Sequence, residues 1–380
     1  MWQVRNKKEN SPRLFQGEIV SANIVITDTG IPHSDSITRQ SAGTHEKDIS
    51  MKRKTFLRAG IAAFSVAAMA ALSACSGSDS GGTAASGGGS ETISIGFSQV
   101  GAESGWRAAN TKDIQDTLTE ANGFKLSFSD AQQKQENQIQ ALRSYIAQGV
   151  DVLAFSPVVE TGWDAVLQEA KNANIPVVLT DRAVDTADDS LYASFIGSDF
   201  VEEGKRAGDW VAENFKDEEL NVVELQGTTG SAPAIDRKEG FEKAIAGTDI
   251  KIMDSQTGDF TRAGGKQVME GFLNSHDDID LVFAHNDDMG LGAIEAIEAA
   301  GKKPGEDIKI VTIDAVKDGM QALADGKINY IVECNPLLGQ DLAEIAKKVV
   351  AGETVEKRIV VEDAAFTQDE ASKALPERKY

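Results

Sequence analysis

Cysteine is scarce in this sequence, which excludes a fold held together by a framework of disulfide bonds. Only Cys75 and Cys334 occur among 380 residues, whereas disulfide scaffolds carry several cysteines in a short chain. Hydrophobic residues make up 41% of the chain, which is enough to bury a substantial core. Together with 26% charged residues and 35 glycines, this composition is typical of an α/β protein with more than one domain.

Positive charge and histidine are also in short supply. The chain has 38 Lys and Arg against 60 Asp and Glu, a net charge of −22, so it lacks the excess of basic residues that duplex nucleic acid requires. The acidic pair Asp287-Asp288 could bind calcium, but the loop spacing of an EF-hand is missing. We therefore expect no nucleic acid, no metal and no cofactor. The histidines are scattered at His33, His45, His276 and His285.

No hydrophobic run near the N-terminus is long enough to span a bilayer. The run from Ile61 to Leu72 is shorter than the roughly 20 residues that a spanning helix needs. Basic residues precede it between 52 and 58, and the small residues Ser73 and Ala74 lead from it to Cys75. This pattern predicts a lipoprotein signal peptide over residues 51–74, with Cys75 lipidated. The alternative is ordinary cleavage near Ala74, with Cys75 incidental.

Two further segments lie outside any expected domain. Residues 75–90 are rich in Gly and Ser, which predicts a flexible tether between a lipid anchor and the folded body. Residues 1–50 precede a complete signal peptide and show no hydrophobic periodicity. We expect them to be a non-native upstream extension, with translation starting at Met51, although a genuine N-terminal extension from Met1 remains the alternative. After lipidation of Cys75, the exported chain would hold a single thiol.

Short runs rich in β-branched and aromatic residues alternate with helical patterns from Glu91 onward. This alternation predicts βαβ units, and two successive series of such units predict two parallel sheets. The segments left over near the C-terminus fit crossovers between two discontinuous lobes. We expect an N-terminal lobe of residues 91–197 plus about 334–352, and a C-terminal lobe of residues 198–333 plus about 353–380.

Polar residues follow most of the predicted strands, at the end of an open parallel sheet where ligands bind. Glu103, Trp106 and Arg107 follow the first strand, and Asp181 and Arg182 follow the fourth. In the second series, the corresponding positions are Asp236 and Arg237, Asn286 to Asp288, and Asp314. Carboxylates, amides and guanidinium groups suit sugar hydroxyls, and an indole offers an apolar face. Each could instead be a helix cap, a surface residue or, for Trp106, a core anchor.

Several long segments resemble the galactofuranose-binding proteins of bacterial ABC importers, within the ribose/galactose branch of periplasmic binding proteins. The resemblance covers residues 93 to about 365 and is carried by FSQVGAESGWRAA, DAQQKQENQIQALRSYIAQGVD, SPVVETGW, LTDR, VELQGTTGSAPAIDRKEGF, TGDFTRAGGKQVMEGF and AHNDDMGLGAIEAI. It implies the type I periplasmic-binding-protein fold, in which two doubly wound parallel-sheet lobes are joined by three crossover segments. The ligand contacts it implies are Glu103, Ser104, Gly105, Trp106, Arg107, Asp181, Arg182, Arg237, Asn286 and Asp314.

The resemblance implies a binding protein that catalyses nothing. Its partners would be a monosaccharide, most simply galactofuranose, and the permease and ATPase of an ABC transporter. We expect a monomer on the outer face of the cell membrane, held there by the lipid on Cys75. Cys334 lies in the YIVECNP crossover, where related binders place a hinge or ligand residue.

Other functions are compatible with the same fold or with the same types of residue at the site. They are binding of another pentose or hexose, service to a chemoreceptor, or a glycosidase using Glu103, Asp181 and Asp314. A sugar-responsive repressor would need a helix-turn-helix before residue 91, where the sequence has a signal peptide and a tether.

Overall fold

A computed structural model describes residues 92–380. The predicted upstream extension, signal peptide and tether, including the lipidation site Cys75, lie outside the described residues. Within residues 92–380, no helix combines the length and apolar character needed to cross a membrane.

Strands and helices alternate through most of the described chain, as the sequence pattern predicts. The strands are β1 (Ile93–Gln99), β2 (Phe124–Asp130), β3 (Val152–Phe155), β4 (Val177–Thr180), β5 (Ser194–Gly197), β6 (Leu220–Gln226), β7 (Ile250–Thr257), β8 (Leu281–Ala284), β9 (Lys309–Asp314), β10 (Tyr330–Glu333), β11 (Arg358–Val360) and β12 (Ala365–Phe366). The helices are α1 (Gly105–Thr117), α2 (Gln135–Gln148), α3 (Asp164–Asn172), α4 (Phe200–Asn214), α5 (Ala232–Ile245), α6 (Arg262–Ser275), α7 (Asp287–Ala299), α8 (Lys317–Ala324), α9 (Gly339–Val350) and α10 (Gln368–Ala374).

The strands of residues 92–380 form two six-stranded sheets with equivalent strand orders. The first sheet runs β11-β5-β4-β3-β1-β2, and the second runs β12-β10-β9-β8-β6-β7. Neighbouring strands in both sheets are parallel, except β12 and β10. In each sheet the chain moves outward in one direction and then in the other from its first strand, which is the doubly wound pattern. The predicted fold class, two parallel-sheet α/β lobes, is confirmed.

Helices cover both faces of each sheet, so the central strands consist almost wholly of buried apolar residues. In the first lobe, Phe97 packs toward Ile114 and Leu342 on one face, and Phe155 packs against Trp163 on the other. In the second lobe, α4 and α5 cover one face, whereas α6, α7, α8 and α10 cover the other. The loops at the carboxyl ends of the strands are therefore held by two rigid cores.

One lobe boundary differs from the sequence prediction. Residues 353–380 were expected to belong entirely to the C-terminal lobe, but β11 pairs in parallel with β5 of the first sheet, with Arg358 opposite Phe195. The Arg358 guanidinium donates to the carbonyl groups of Gly197 and Ser198 at 2.8 and 2.7 Å, which fixes this edge strand. The final crossover therefore lies between β11 and β12. A strand of three residues is too short to encode which of two sheets it will join.

Candidate functional site

A cavity with about 280 Å³ of empty space lies where the carboxyl ends of strands from the two lobes face each other. This is the position at which open parallel sheets bind ligands, beside the strands where the direction of winding changes. The lining residues come from both lobes and are Glu103, Ser104, Trp106, Arg107, Asp181, Arg182, Pro233, Arg237, Phe260, Asn286, Asp314 and Cys334.

The first lobe contributes a buried network of charged groups to the cavity. Arg107 Nε lies 3.0 Å from Glu103 Oε1, and its Nη2 lies 2.6 Å from Asp181 Oδ2. The Ser156 hydroxyl also donates to Asp181, at 2.9 Å. Burial lowers the pKa of Arg107, but Asp181 and Glu103 outweigh that effect and raise it above its ordinary value. The Arg107 guanidinium is thus a permanently charged donor held in one orientation.

The charge of Arg182 is less well neutralised by nearby carboxylates than that of Arg107. Its nearest carboxylate oxygens belong to Glu103 at 3.7 Å and Asp181 at 3.8 Å. Burial, and then the neighbouring Arg107 charge, lower the pKa of Arg182 to about 10. Arg182 Nε and Glu103 Oε2 are buried atoms that have no hydrogen-bond partner in the described part of the chain. Buried polar atoms are normally paired, so both have capacity for a ligand hydroxyl.

The second lobe repeats this chemistry with one arginine. Arg237 Nε lies 2.7 Å from Glu203 Oε2, and its Nη2 lies 3.8 Å from Asp314 Oδ1. Its Nη1 also donates to the carbonyl group of His285. Burial raises the pKa of Glu203 to about 7 and the pKa of Asp314 well above its ordinary value, although Arg237 opposes both shifts.

Backbone strain is concentrated around the cavity. Asp181 has φ of 62°, Phe260 has φ of 61°, and Asp314 and Ala315 have φ of 124° and 61°. Non-glycine residues rarely adopt these angles, and each such residue costs on the order of 1–3 kcal/mol unless its surroundings enforce it. Strained backbone of this kind is typical of binding sites, where side chains are held in one orientation toward the cleft.

Trp106 both lines the cavity and anchors one lobe to the other. Its indole Nε1 donates to the carbonyl group of Cys334 at 2.6 Å, and its side chain packs in the second-lobe cluster that includes Val316. The Arg107 guanidinium carbon lies 4.6 Å from the Trp106 ring centroid. The sequence left two interpretations of Trp106 open, a cavity wall and a core anchor, and the structure combines them.

Asn286 likewise has two roles. Its side-chain oxygen accepts from the Met289 amide at 3.0 Å and caps α7, while its side-chain nitrogen donates to the Phe260 carbonyl at 3.1 Å. The next residue, Asp287, faces away from the cavity and accepts from the Thr312 hydroxyl at 2.5 Å and the Val316 amide at 2.8 Å. Burial raises the pKa of Asp287 to about 7.

The structure brings all but one of the predicted contact residues together at the cavity. The exception is Gly105, which does not line it; its backbone amide donates instead to Asp288 Oδ2 of the other lobe, at 2.7 Å. A second contact between the lobes runs from the Glu160 amide to the Gly230 carbonyl, at 2.9 Å. Within residues 92–380, no group of three or more His, Cys, Asp and Glu side chains is placed to hold a metal ion.

Two lining residues were not selected from the sequence, and Cys334 was placed only in a crossover segment. Pro233 lies in the first turn of α5, and Phe260 follows β7 at the edge of the second sheet. The Phe260 ring centroid lies 5.1 Å from the Arg182 guanidinium carbon, so this side chain reaches across to the first lobe. The sequence does carry a signal for Phe260, which is an apolar residue close after a predicted strand, where polar residues also collect. Monosaccharide sites combine both kinds of surface.

A family model described as a periplasmic binding protein domain matches residues 95–354. Among curated proteins, the chain is 48% identical over 292 residues to the galactofuranose-binding protein YtfQ of Escherichia coli (strain K12), covering 76% of this chain and 92% of that protein.

Solved structures of similar chains extend the comparison. A Mycobacterium smegmatis protein in complex with β-D-fucofuranose is 65% identical, with a TM-score of 0.74 and coverage of 76% of this chain and 95% of that one. The arabinose ABC transporter's periplasmic binding protein from Shewanella sp. ANA-3, bound to α- and β-L-arabinofuranose, is 47% identical, with a TM-score of 0.73 and coverage of 76% and 96%.

Proposed function

Because this chain belongs to the periplasmic binding protein family, we propose that it captures a monosaccharide in its furanose form, galactofuranose first of all, for an ABC importer. Membership of the family implies an extracytoplasmic location. The observation that carries the proposal is the cavity between the lobes, whose charged lining consists of three carboxylates and three guanidinium groups: Glu103, Asp181, Asp314, Arg107, Arg182 and Arg237.

The balance of charge in this lining favours a neutral, hydroxyl-rich ligand. Each sugar hydroxyl can donate to a carboxylate and accept from a guanidinium group, so it completes bonds that the buried side chains do not make with each other. A sugar acid or sugar phosphate would bring an extra charge into this buried site, and burying a charge without a matched partner is costly.

The similar proteins bear on the ring form of the sugar. The three similar proteins are described with galactofuranose, fucofuranose and arabinofuranose. Identities of 47–65% to them support a five-membered ring as the bound form here.

We propose that the ligand drives closure of the two lobes because it contacts both. A ligand shifts an equilibrium only by its differential affinity for the two states. Arg107, Asp181 and Arg182 would bind one side of the sugar, whereas Arg237 and Asp314 would bind the other. The hydrogen bond from Gly105 to Asp288 would then form only when the lobes are closed.

Replacing Asp288 with alanine is expected to weaken sugar binding about tenfold, mainly through faster dissociation, since the lost contact is a hydrogen bond to a charged group across the lobes. Association and dissociation rates can be followed by stopped-flow tryptophan fluorescence. Asp318→Ala is the matched control. Asp318 pairs with Arg262 at 3.1 Å, as Asp288 does at 3.4 Å, but its side chain is 70% exposed and makes no hydrogen bond with the first lobe within residues 92–380. Equal dissociation rates in the two variants would contradict the closure contact.

The function itself is tested by thermal unfolding of the purified protein against a panel of sugars. A ligand that binds only the native state stabilises it by about 2.7 kcal/mol at a hundredfold excess over its Kd. We expect a rise in Tm with galactofuranose, and none with galactonate or galactose 6-phosphate. A rise in Tm with other neutral sugars only would mean that the ligand is not galactofuranose but that the protein still binds a sugar. If no sugar of the panel raises the Tm, sugar binding is rejected.

We also propose that the protein catalyses no reaction, acts as a monomer and is held at the outer face of the membrane by lipid on Cys75. The relatives reported above are binding proteins, which supports the first point. The signal-like segment 51–74 and the Gly/Ser-rich residues that follow Cys75 support the anchor. We expect mass spectrometry of the mature N-terminus to show a diacylated or triacylated Cys75. An unmodified N-terminus would reject the lipid anchor.

A further inference from the structure

The strained turn that carries Asp314 rests on the last residues of the chain. Asp314 and Ala315 have φ of 124° and 61°, and the turn leads from β9 directly into α8. Helix α10 packs beside α8, and Gln368 Nε2 donates to the carbonyl group of Ala324, at 3.1 Å. The C-terminal segment is thereby brought behind the cavity, although it contributes no lining residue.

Arg378 makes the direct contact with this turn. Its Nε donates to the Ala315 carbonyl at 2.6 Å, while its Nη2 lies 2.7 Å from Glu333 Oε1. The guanidinium carbon lies 5.2 Å from the Phe366 ring centroid and 4.4 Å from that of Tyr380. Arg378 Nη2 also donates to the Tyr380 hydroxyl, at 2.9 Å. The guanidinium group is thus oriented by two rings and three acceptors, which gives it a fixed geometry.

Glu333 links this contact to the sheet that presents Asp314. It is the last residue of β10 and lies directly opposite Asp314 of β9. Its Oε1 accepts from the Tyr380 hydroxyl at 2.6 Å, and its Oε2 accepts from the Ala364 amide at 2.8 Å. Burial raises the pKa of the Tyr380 hydroxyl, and Glu333 raises it further, so this hydroxyl remains a donor at physiological pH.

We propose that Arg378, Tyr380 and Glu333 form a C-terminal clamp that holds the strained turn at Asp314–Ala315 and so positions the Asp314 carboxylate for the ligand. Strained backbone persists only where its surroundings enforce it. Two other hydrogen bonds restrain the turn. The Val316 amide donates to the Asp287 carboxylate, and the Cys334 amide donates to the Asp314 carbonyl group. The hydrogen bond from Arg378 to the Ala315 carbonyl adds a charge-assisted restraint to these two.

The clamp makes the final residues of the chain positioning residues for a cavity that they do not touch. This inference rests on the proposed function for its effect on affinity, because Asp314 is taken to contact the sugar. Its effect on the turn does not depend on any ligand, so the two can be measured separately.

The test compares Arg378→Ala and Tyr380→Phe with wild type in the full-length exported protein. Lys379→Ala is the matched control. Lys379 is exposed, and its replacement removes one positive charge from the same end of the chain. Arg378→Lys is the conservative variant that keeps the charge near Glu333 but loses the planar fork. Titration calorimetry gives the Kd for galactofuranose, and hydrogen exchange with mass spectrometry follows the amides of residues 315–320 without ligand.

We expect Arg378→Ala to weaken binding about tenfold and Tyr380→Phe to weaken it about threefold, from the loss of charge-assisted hydrogen bonds. Exchange at residues 315–320 should quicken in Arg378→Ala, recover in part in Arg378→Lys and stay at the wild-type rate in Lys379→Ala. Wild-type affinity and wild-type exchange in Arg378→Ala would overturn the clamp. If wild type itself binds no sugar, the proposed function fails, while the exchange rates still decide whether the clamp exists.

Discussion

Replacing Arg107 with alanine is expected to abolish sugar binding and to lower the free energy of unfolding by about 3–5 kcal/mol, the usual cost of removing one partner from a buried ion pair. The side chains of Arg107, Glu103 and Asp181 are only 3%, 2% and 5% exposed. Without Arg107, the nearest positive charge to the two buried carboxylates within residues 92–380 would be Arg182, at 3.7 and 3.8 Å. Urea unfolding and calorimetric titration with galactofuranose measure the two effects.

An exposed pair of the same kind provides the control for Arg107. Arg143 lies 2.8 Å from Glu169, but the two side chains are 52% and 43% exposed. Because water and salt screen such a pair, Arg143→Ala should leave both the stability and the affinity close to those of wild type. A loss of stability in Arg143→Ala as large as that in Arg107→Ala would show that burial is not the cause.

Gly204→Ala is expected to destabilise the second lobe by about 3 kcal/mol, at the upper end of what overpacking usually costs. A Cβ atom on Gly204 of α4 would lie 2.0 Å from the Arg237 carbonyl of α5, and one on Gly240 of α5 would lie 2.1 Å from the Val201 carbonyl of α4. The two helices are therefore in backbone contact, and an added methyl group must push them apart. Since α5 carries Arg237, affinity for the sugar should fall as well.

Gly271→Ala is the matched control, because this glycine is exposed on α6 and an added Cβ meets no atom within 4 Å. Alanine there should raise the free energy of unfolding by about 0.5–1 kcal/mol through its higher helix propensity. Urea unfolding of both variants checks the pair. If Gly204→Ala is as stable as wild type, the close packing of α4 on α5 is wrong.

Much of the fold was predictable because local patterns specify it. The sequence pattern predicts helices over residues 134–148 and 317–324 and strands over 124–130 and 220–226. Helices α2 and α8 and strands β2 and β6 lie within one residue of these bounds, since apolar periodicity and end signals agree there. The same pattern predicts a first helix from about 106 to 121, but α1 ends at Thr117. Leu118 is 2% exposed, and its burial takes the chain out of the helix toward β2, which is a tertiary effect that propensity does not contain.

The candidate site was largely predictable for a different reason. The rule that ligands bind at the carboxyl ends of parallel strands selects positions such as Asp181 and Asp314 without any knowledge of the packing. The bond from Gly105 to Asp288 joins residues 183 positions apart, and that from Arg378 to Ala315 joins residues 63 positions apart. Contacts of this kind depend on how two lobes meet, and no local sequence pattern encodes them.

The late return of the chain to the first lobe sets the order in which the molecule can be assembled. Helix α9, with Leu342 and Ala346, completes the core around Ile95, and β11 completes the sheet beside β5. A nascent chain that stops before residue 339 leaves that apolar surface uncovered, so the first lobe completes its core only after most of the second lobe has been synthesised. Contacts between residues so far apart in the sequence slow folding.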